Sequence, residues 1–144
     1  MTSDRSRTGI RGSILLVNDN PALQKEIREN LAALGFDVRA FADGDAALQA
    51  LRVEPADLVC LDLNLPRMSG YEVCEQIRSH AALRGVVIVM TSDHATLESR
   101  AYSYEAGADV YIASPYTAAS LAVEVVRLLG VAVGEYSDLS LKPA

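Results

Sequence analysis

The chain has 144 residues, half of them hydrophobic, two cysteines and a formal net charge of −6. That is the size of one domain with a genuine core, and the acidic balance argues against a nucleic-acid surface built on clustered Lys and Arg. No apolar run approaches the ~20 residues of a membrane span: "VVIVM" is short, and "LAVEVVRLLGVAV" is interrupted by Glu124 and Arg127.

Residues 1–12, "MTSDRSRTGIRG", are polar and aperiodic and are expected to form a flexible tail. "SILLV" then reads as a buried strand. It is too short for a signal-peptide core and ends in "NDN", so a soluble, cytoplasmic protein is expected. In "NPALQKEIRENLAALG", Asn20 caps a helix, Pro21 suits its first turn, and Leu23, Ile27, Leu31 and Leu34 recur at helical spacing until Gly35. "FDVRAF" alternates as a strand of period two, and "GDAALQALRV" reads as a short helix. "DLVCLD" is a second buried strand, and "GYEVCEQIRSH" a helix with Val73, Cys74 and Ile77 on one side. "VVIVMT" is a third buried strand, followed by the helix "ATLESRAYSYEAG", which Gly107 ends. "DVYIA" is the last strand, and "TAASLAVEVVRLLG" the last helix, capped by Thr117. Residues 131–144 read as a free tail or the start of a linker. Cys60 and Cys74 lie in apolar segments without metal-ligand spacing, which fits core packing in a reducing compartment rather than a disulfide.

Strands and helices alternate, and the inner strands are apolar throughout. That pattern predicts a parallel sheet covered on both faces, with right-handed crossovers. Ligands of such sheets bind beyond the carboxyl ends of the strands. The polar residues at those ends are Asn18, Asp19 and Asn20, then Asp62 with Asn64, then Thr91, Ser92 and Asp93, and finally Ser114 before Pro115. Two carboxylates brought together, here Asp19 and Asp62, repel unless a proton or cation intervenes. A hard cation such as Mg²⁺ suits carboxylate, carbonyl and water oxygens. A carboxylate beside it can accept a phosphoryl group, since that chemistry rests on positioning and charge stabilisation. Thr91 offers a hydroxyl to the new phosphoryl oxygens.

The order "ILLVNDNP", "DLVCLDLNLPRMSGYEVCEQIR", "VIVMTS" and "EAGADVYIASPY" resembles the CheY-like receiver domain of two-component response regulators, over about residues 13–130. The block around Asp62 is the most specific part, with Pro66 and Gly70 in register. The resemblance implies a doubly wound, flavodoxin-like (βα)5 fold: a five-stranded parallel sheet in the order 2-1-3-4-5. It implies Asp62 as phosphoacceptor for a histidine kinase or histidine phosphotransfer protein. It implies Mg²⁺ held by Asp19, Asp62 and the Asn64 carbonyl, Thr91 as phosphoryl contact, and Tyr111 as an aromatic that changes rotamer with the state of the site. It further implies a cis peptide at Ser114-Pro115 and a role for Asn64 and Asp93 in tuning dephosphorylation.

Two positions depart from the family pattern. Asn18 stands where a second acid is usual, and Ser114 where a lysine is usual. Asn18 can meet a metal-bound water but carries no charge, so weaker Mg²⁺ binding is expected. Ser114 removes a charge-assisted contact to the phosphoryl group. One acid and one ammonium are lost together, which leaves the summed charge of the empty pocket unchanged and suggests a site rebuilt as a unit. Arg67 is a candidate partial replacement for the cation.

Other readings sit beside these. Asn18, Asn20 and Asp93 can serve as loop or helix-cap residues. His80 ends a helix, and neither it nor His94 has a spacing partner for phosphotransfer. Tyr102, Tyr104, Tyr111 and Tyr116 cluster around the fourth helix, fifth strand and final helix. That face is either ordinary packing or a surface for a homodimer or effector protein. No enzyme activity is expected beyond the protein's own phosphotransfer and dephosphorylation. A pseudo-receiver that binds partners without phosphorylation is the alternative. A small aspartate-dependent phosphatase fits worse, since it would want an acid at Asn64 and a lysine.

Overall fold

A computed structural model describes residues 12–133. The three runs that are apolar throughout, β1 (Ser13–Val17), β3 (Leu58–Asp62) and β4 (Val87–Ser92), are almost wholly buried and take the centre of one sheet. The more polar β2 (Asp37–Phe41) and β5 (Val110–Ala113) are only partly covered and take its edges. All pairs are parallel and the order is β2-β1-β3-β4-β5. Strands buried on both faces must be apolar on both, so this placement follows from composition alone.

Side chains of alternating parity build two cores. On one face, α1 (Pro21–Ala33) and α5 (Ala118–Val133) cover Ile14, Leu16, Cys60 and Val89. On the other, α2 (Gly44–Val53), α3 (Gly70–Ser79) and α4 (Leu97–Ala106) cover Leu15, Val59, Leu61 and Met90. Cys60 and Cys74 are free and belong to opposite faces, so they cannot be joined. A short 3-10 turn at Ala81–Leu83 precedes β4. Among the described residues, no helix is long and apolar enough to cross a membrane.

The helix ends follow the local chemistry. The Asn20 side chain accepts from the Ala22 and Leu23 amides ahead of Pro21. Gly35 and Gly107 close α1 and α4 with positive φ. The Thr117 hydroxyl accepts from the Ser120 amide while the Ser120 hydroxyl accepts from the Thr117 amide. Thr96, not Asp93, caps α4, by accepting from Ser99. Asp43 caps α2, and Ser69 with Glu72 forms a capping box on α3.

Both tail boundaries move. The Gly12 carbonyl accepts from Asp37, so Gly12 already belongs to the sheet margin. Helix α5 runs through Gly130 to Val133. An interior glycine costs a helix only about 1 kcal/mol, and Gly130 is not among the residues with the positive φ of a terminating glycine. Residues 1–11 and 134–144 lie outside the described residues.

Gly70 joins fold to site. Its amide donates to the Leu63 carbonyl. A Cβ there would stand 2.6 Å from the Asp62 carbonyl oxygen and 2.8 Å from Leu63 Cα. Backbone cannot yield as a side-chain tip can. Gly70→Ala is therefore expected to destabilise the protein by about 2 kcal/mol, within the range for overpacking, as read by urea denaturation. An unchanged urea midpoint would contradict this close approach.

Candidate phosphoacceptor site

The carboxyl ends of β1, β3, β4 and β5 place the site. Asp62 is the last residue of β3 and pairs in register with Thr91 of β4. The buried Thr91 hydroxyl donates to Asp62 Oδ1 at 3.1 Å, and the Asn64 amide donates to Asp62 Oδ2 at 3.1 Å. The loop beyond Asp62 is held at both ends. The Leu63 amide donates to the Thr91 carbonyl at 2.8 Å, and the Gly70 amide returns to the Leu63 carbonyl at 2.9 Å. Between them, Met68 donates to the Pro66 carbonyl around Arg67, which adopts φ 66°. This is a tight three-residue turn.

Burial pushes the Asp62 carboxyl up to about 6. The hydrogen bonds from Thr91 and Asn64 oppose that rise, and the carboxylates of Asp93 and Asp19 add to it. Among the described residues, no cation is found among the groups acting on Asp62. The charge balance expected from sequence therefore omits Asp93, which brings a third acid to the rim.

The two departing positions are both engaged elsewhere. Asn18 is buried, and its side-chain oxygen accepts from the Asn20 amide at 2.9 Å. The Gln24 side chain donates to the Asn18 and Phe41 carbonyls and holds that loop to β2. Ser114 follows β5. Its amide donates to the Ser92 carbonyl, its hydroxyl donates to Asp93 Oδ1 at 3.4 Å, and Ser114-Pro115 is cis, as the resemblance implies. The Arg67 guanidinium pairs with Asp43, 3.5 Å away, and is largely exposed. Its charge is directed at the cap of α2 rather than at Asp62, which runs against the expected replacement role.

The tyrosines divide. Tyr102 packs edge-on against Tyr71 of α3. Tyr104, Tyr111 and Tyr116 line a groove of about 500 Å³ together with Arg100 and Glu124. The Tyr111 hydroxyl donates to the His94 carbonyl, so the ring bridges β5 and the loop before α4. Tyr116 is the feature that sequence reading missed. Its ring packs against the core face holding Cys60 and Val89, and burial raises the pKa of its phenol above the usual tyrosine value. Sequence left Tyr116 open between ordinary packing and a partner surface, because nothing in "SPY" says which way a ring turns.

The oxygen donors available to a cation are the Asp19 and Asp62 carboxylates and the Asn64 carbonyl. These are hard oxygens of the kind Mg²⁺ prefers, with water completing an octahedron. Among the described residues no cluster of three or more His, Cys, Asp or Glu is arranged to hold a metal. The set fits Mg²⁺, but thinly.

Comparison with known proteins places this geometry in a family. Residues 14–126 match the family model described as the response regulator receiver domain. The chain is 37% identical over 116 residues to the DNA-binding response regulator MtrA of Mycolicibacterium smegmatis, covering 81% of this chain and 50% of that protein. It is 36% identical to the transcriptional regulatory protein QseB of Haemophilus influenzae, over 81% of this chain and 52% of that protein. Among solved structures, a putative response regulator of Chloroflexus aurantiacus superposes with a TM-score of 0.77 at 28% identity, over 83% of this chain and 98% of that one. The beryllofluoride-activated DrrB receiver domain superposes at 0.74 with 31% identity, over 82% and 97%. The chain belongs to the response regulator receiver domain family of two-component signalling. It spans about half the length of the curated relatives it matches.

The raised Asp62 carboxyl has a consequence for stability. The unfolded chain ionises this group near the usual 3.8 and the folded chain near 6. Between those values the folded state keeps a proton that the unfolded state has lost, so the group's contribution to stability is lost as pH rises from about 4 to about 6. In chelator-treated protein at pH 7, Asp62→Asn is expected to be more stable than the parent by about 1 kcal/mol, a figure reduced for the partial exposure of the group. The difference should vanish near pH 4. Urea titrations at the two pH values check it, and a parent more stable than the variant at pH 7 would contradict it.

Proposed function

We propose that this domain receives a phosphoryl group on Asp62 from a histidine kinase or a histidine phosphotransfer protein. The observation that carries the reading is the Asp62 carboxylate, held at a strand end between the Thr91 hydroxyl and the Asn64 amide. Those two donors orient the acid, and both are within reach of oxygens that would arrive with phosphorus.

In the proposed step an Asp62 oxygen attacks phosphorus. The phosphorus–nitrogen bond of the donor's phosphohistidine breaks, and the electron pair leaves with the imidazole nitrogen. The product is an acyl phosphate. Asp62 must be ionised to attack, so neutral pH and a nearby cation favour the reaction. Asp19, Asp62 and the Asn64 carbonyl would hold Mg²⁺, which when bound neutralises charge between acid and phosphoryl oxygens. The Thr91 hydroxyl then exchanges its Asp62 oxygen for a phosphoryl oxygen. That exchange would draw on the β4–α4 loop, where Tyr111 is bonded to the His94 carbonyl, and so alter the α4-β5-α5 face. Output through that face, to a homodimer partner or an effector protein, follows from the same reading. No enzymatic turnover is proposed beyond the domain's own phosphorylation and hydrolysis.

A second reading draws support from Asn18 and Ser114. Both are occupied by local hydrogen bonds, with Asn20 and Asp93, and among the described residues no ammonium is found among the groups acting on Asp62. A pseudo-receiver that binds partners regardless of phosphorylation would show these features.

Intact-mass spectrometry separates the two. With Mg²⁺ and acetyl phosphate the parent should gain the mass of one phosphoryl group, and Asp62→Asn should gain none. Asp19→Asn should weaken the Mg²⁺ dependence by about tenfold, in line with a charged ligand worth some 1.4 kcal/mol. A parent that stays unlabelled with acetyl phosphate and with a phosphohistidine donor would favour the pseudo-receiver.

A further inference from the structure

Helix α4 is held unevenly along its length. Its buried residues, Ser103 and Ala106, both lie in its second half. The first turn buries nothing fully, and Leu97 there is 85% exposed, so little apolar contact fixes that end. The far end is clamped. The Arg78 guanidinium of α3 donates to the carbonyls of Gly107, Arg84 and Val86 at 2.7 to 2.9 Å and pairs with Asp109 at 2.8 Å. The same Asp109 oxygen accepts from the Ile88 amide of β4. One side chain thus ties the end of α4 to the margins of β4 and β5. The fit is close: a Cβ on Gly107 would stand 2.5 Å from Arg78 Cγ.

Near its start α4 is held by two phenols. Tyr111 of β5 donates to the His94 carbonyl in the loop before the helix. Tyr71 of α3 donates to the Ser99 carbonyl at 3.4 Å, and its ring meets Tyr102 edge-on with centroids 5.9 Å apart. Charge-assisted bonds such as those of Arg78 are stronger than a long neutral one, so α4 is a lever with a firm C-terminal pivot and a weaker N-terminal hold. Tyr71 follows Gly70, whose amide is bonded to the Leu63 carbonyl. It therefore stands with the loop beyond Asp62, whereas Ser99 stands with the loop that leaves β4 after Thr91 and Ser92.

We propose that Tyr71 is a latch on this lever, its phenol on the Ser99 carbonyl and its ring on Tyr102 holding the first half of α4 against a pivot set by Arg78. The inference rests on Asp62 being the phosphoacceptor. A group bound at Asp62 that draws Thr91 inward moves the β4–α4 loop, and Ser99 with it, away from a Tyr71 that stays with Gly70. The contact that breaks weighs against the moved state. By reciprocity it weakens binding at Asp62, and its removal strengthens that binding.

The test is a beryllofluoride titration at saturating Mg²⁺, followed by amide NMR in the parent, Tyr71→Phe and Tyr71→Leu. Tyr71→Phe removes one oxygen and keeps the ring, and its midpoint should fall about threefold, the worth of one weak neutral hydrogen bond. Tyr71→Leu also loses the ring pair, and its midpoint should fall about tenfold. Tighter binding at Asp62 is not what a merely structural loss in α3 would produce. In the parent, the Ser99 and Tyr102 amides should shift with the mimic while Gly107 and Asp109 stay in place. A Tyr71→Leu midpoint equal to or above that of the parent, or Gly107 and Asp109 shifting as far as Ser99, would overturn the latch and leave the acceptor role of Asp62 standing. A parent whose Asn64 and Thr91 amides ignore beryllofluoride would overturn both.

Discussion

The hydrogen bond from Thr91 to Asp62 is the contact on which the rest of the site depends. It exists because β3 and β4 are parallel neighbours with these two residues in register at their carboxyl ends. A slip of one position by either strand would turn its side chain to the other face and part the pair. The register is fixed by burial on both faces of the sheet, where Leu58, Val59, Cys60 and Leu61 meet Val87, Ile88, Val89 and Met90. The hydrophobic core thus delivers two polar groups to one point. Gly70 then brings α3 close enough for its backbone to hold the loop beyond Asp62.

Electrostatically the pocket is acidic. Asp19 and Asp93 both raise the proton affinity of a carboxyl that burial has already raised, and neither Ser114 nor Arg67 offsets them. Under the proposed function, arriving charge would be met by a cation from solution and by neutral donors. The Asn64 amide and the Thr91 hydroxyl are those neutral donors. Such donors cost little desolvation when the pocket is empty, whereas a buried ammonium without its anion would cost several kcal/mol.

Much of this was legible in the sequence. The continuous apolar runs at Ser13–Val17, Leu58–Asp62 and Val87–Ser92 announced central strands, because only a strand covered on both faces needs to be apolar on both. Asn20 with Pro21, and the two terminating glycines, fixed helix ends through local backbone chemistry. The strand-end rule gathers Asp19, Asp62 and Thr91 at one edge of the sheet from the sequence alone. Side-chain direction in loops was not legible. Arg67 turns to Asp43, Asp93 leaves the capping of α4 to Thr96 and meets Ser114 instead, and Tyr116 packs against the core face holding Cys60 and Val89. Each outcome is decided by packing between segments far apart in sequence. Gly130 misled for a related reason. A glycine ends a helix only when the chain turns left-handed there, and the sequence does not state φ.

The most direct measurement is an amide NMR titration of the labelled domain with Mg²⁺ and beryllofluoride, which mimics a phosphoryl group. Leu63, Asn64 and Thr91 should shift together, with Tyr111 following as the β4–α4 loop responds. Spectra in which Mg²⁺ and beryllofluoride leave Asn64 and Thr91 unmoved would contradict a phosphoryl-accepting site built on the Thr91–Asp62 contact.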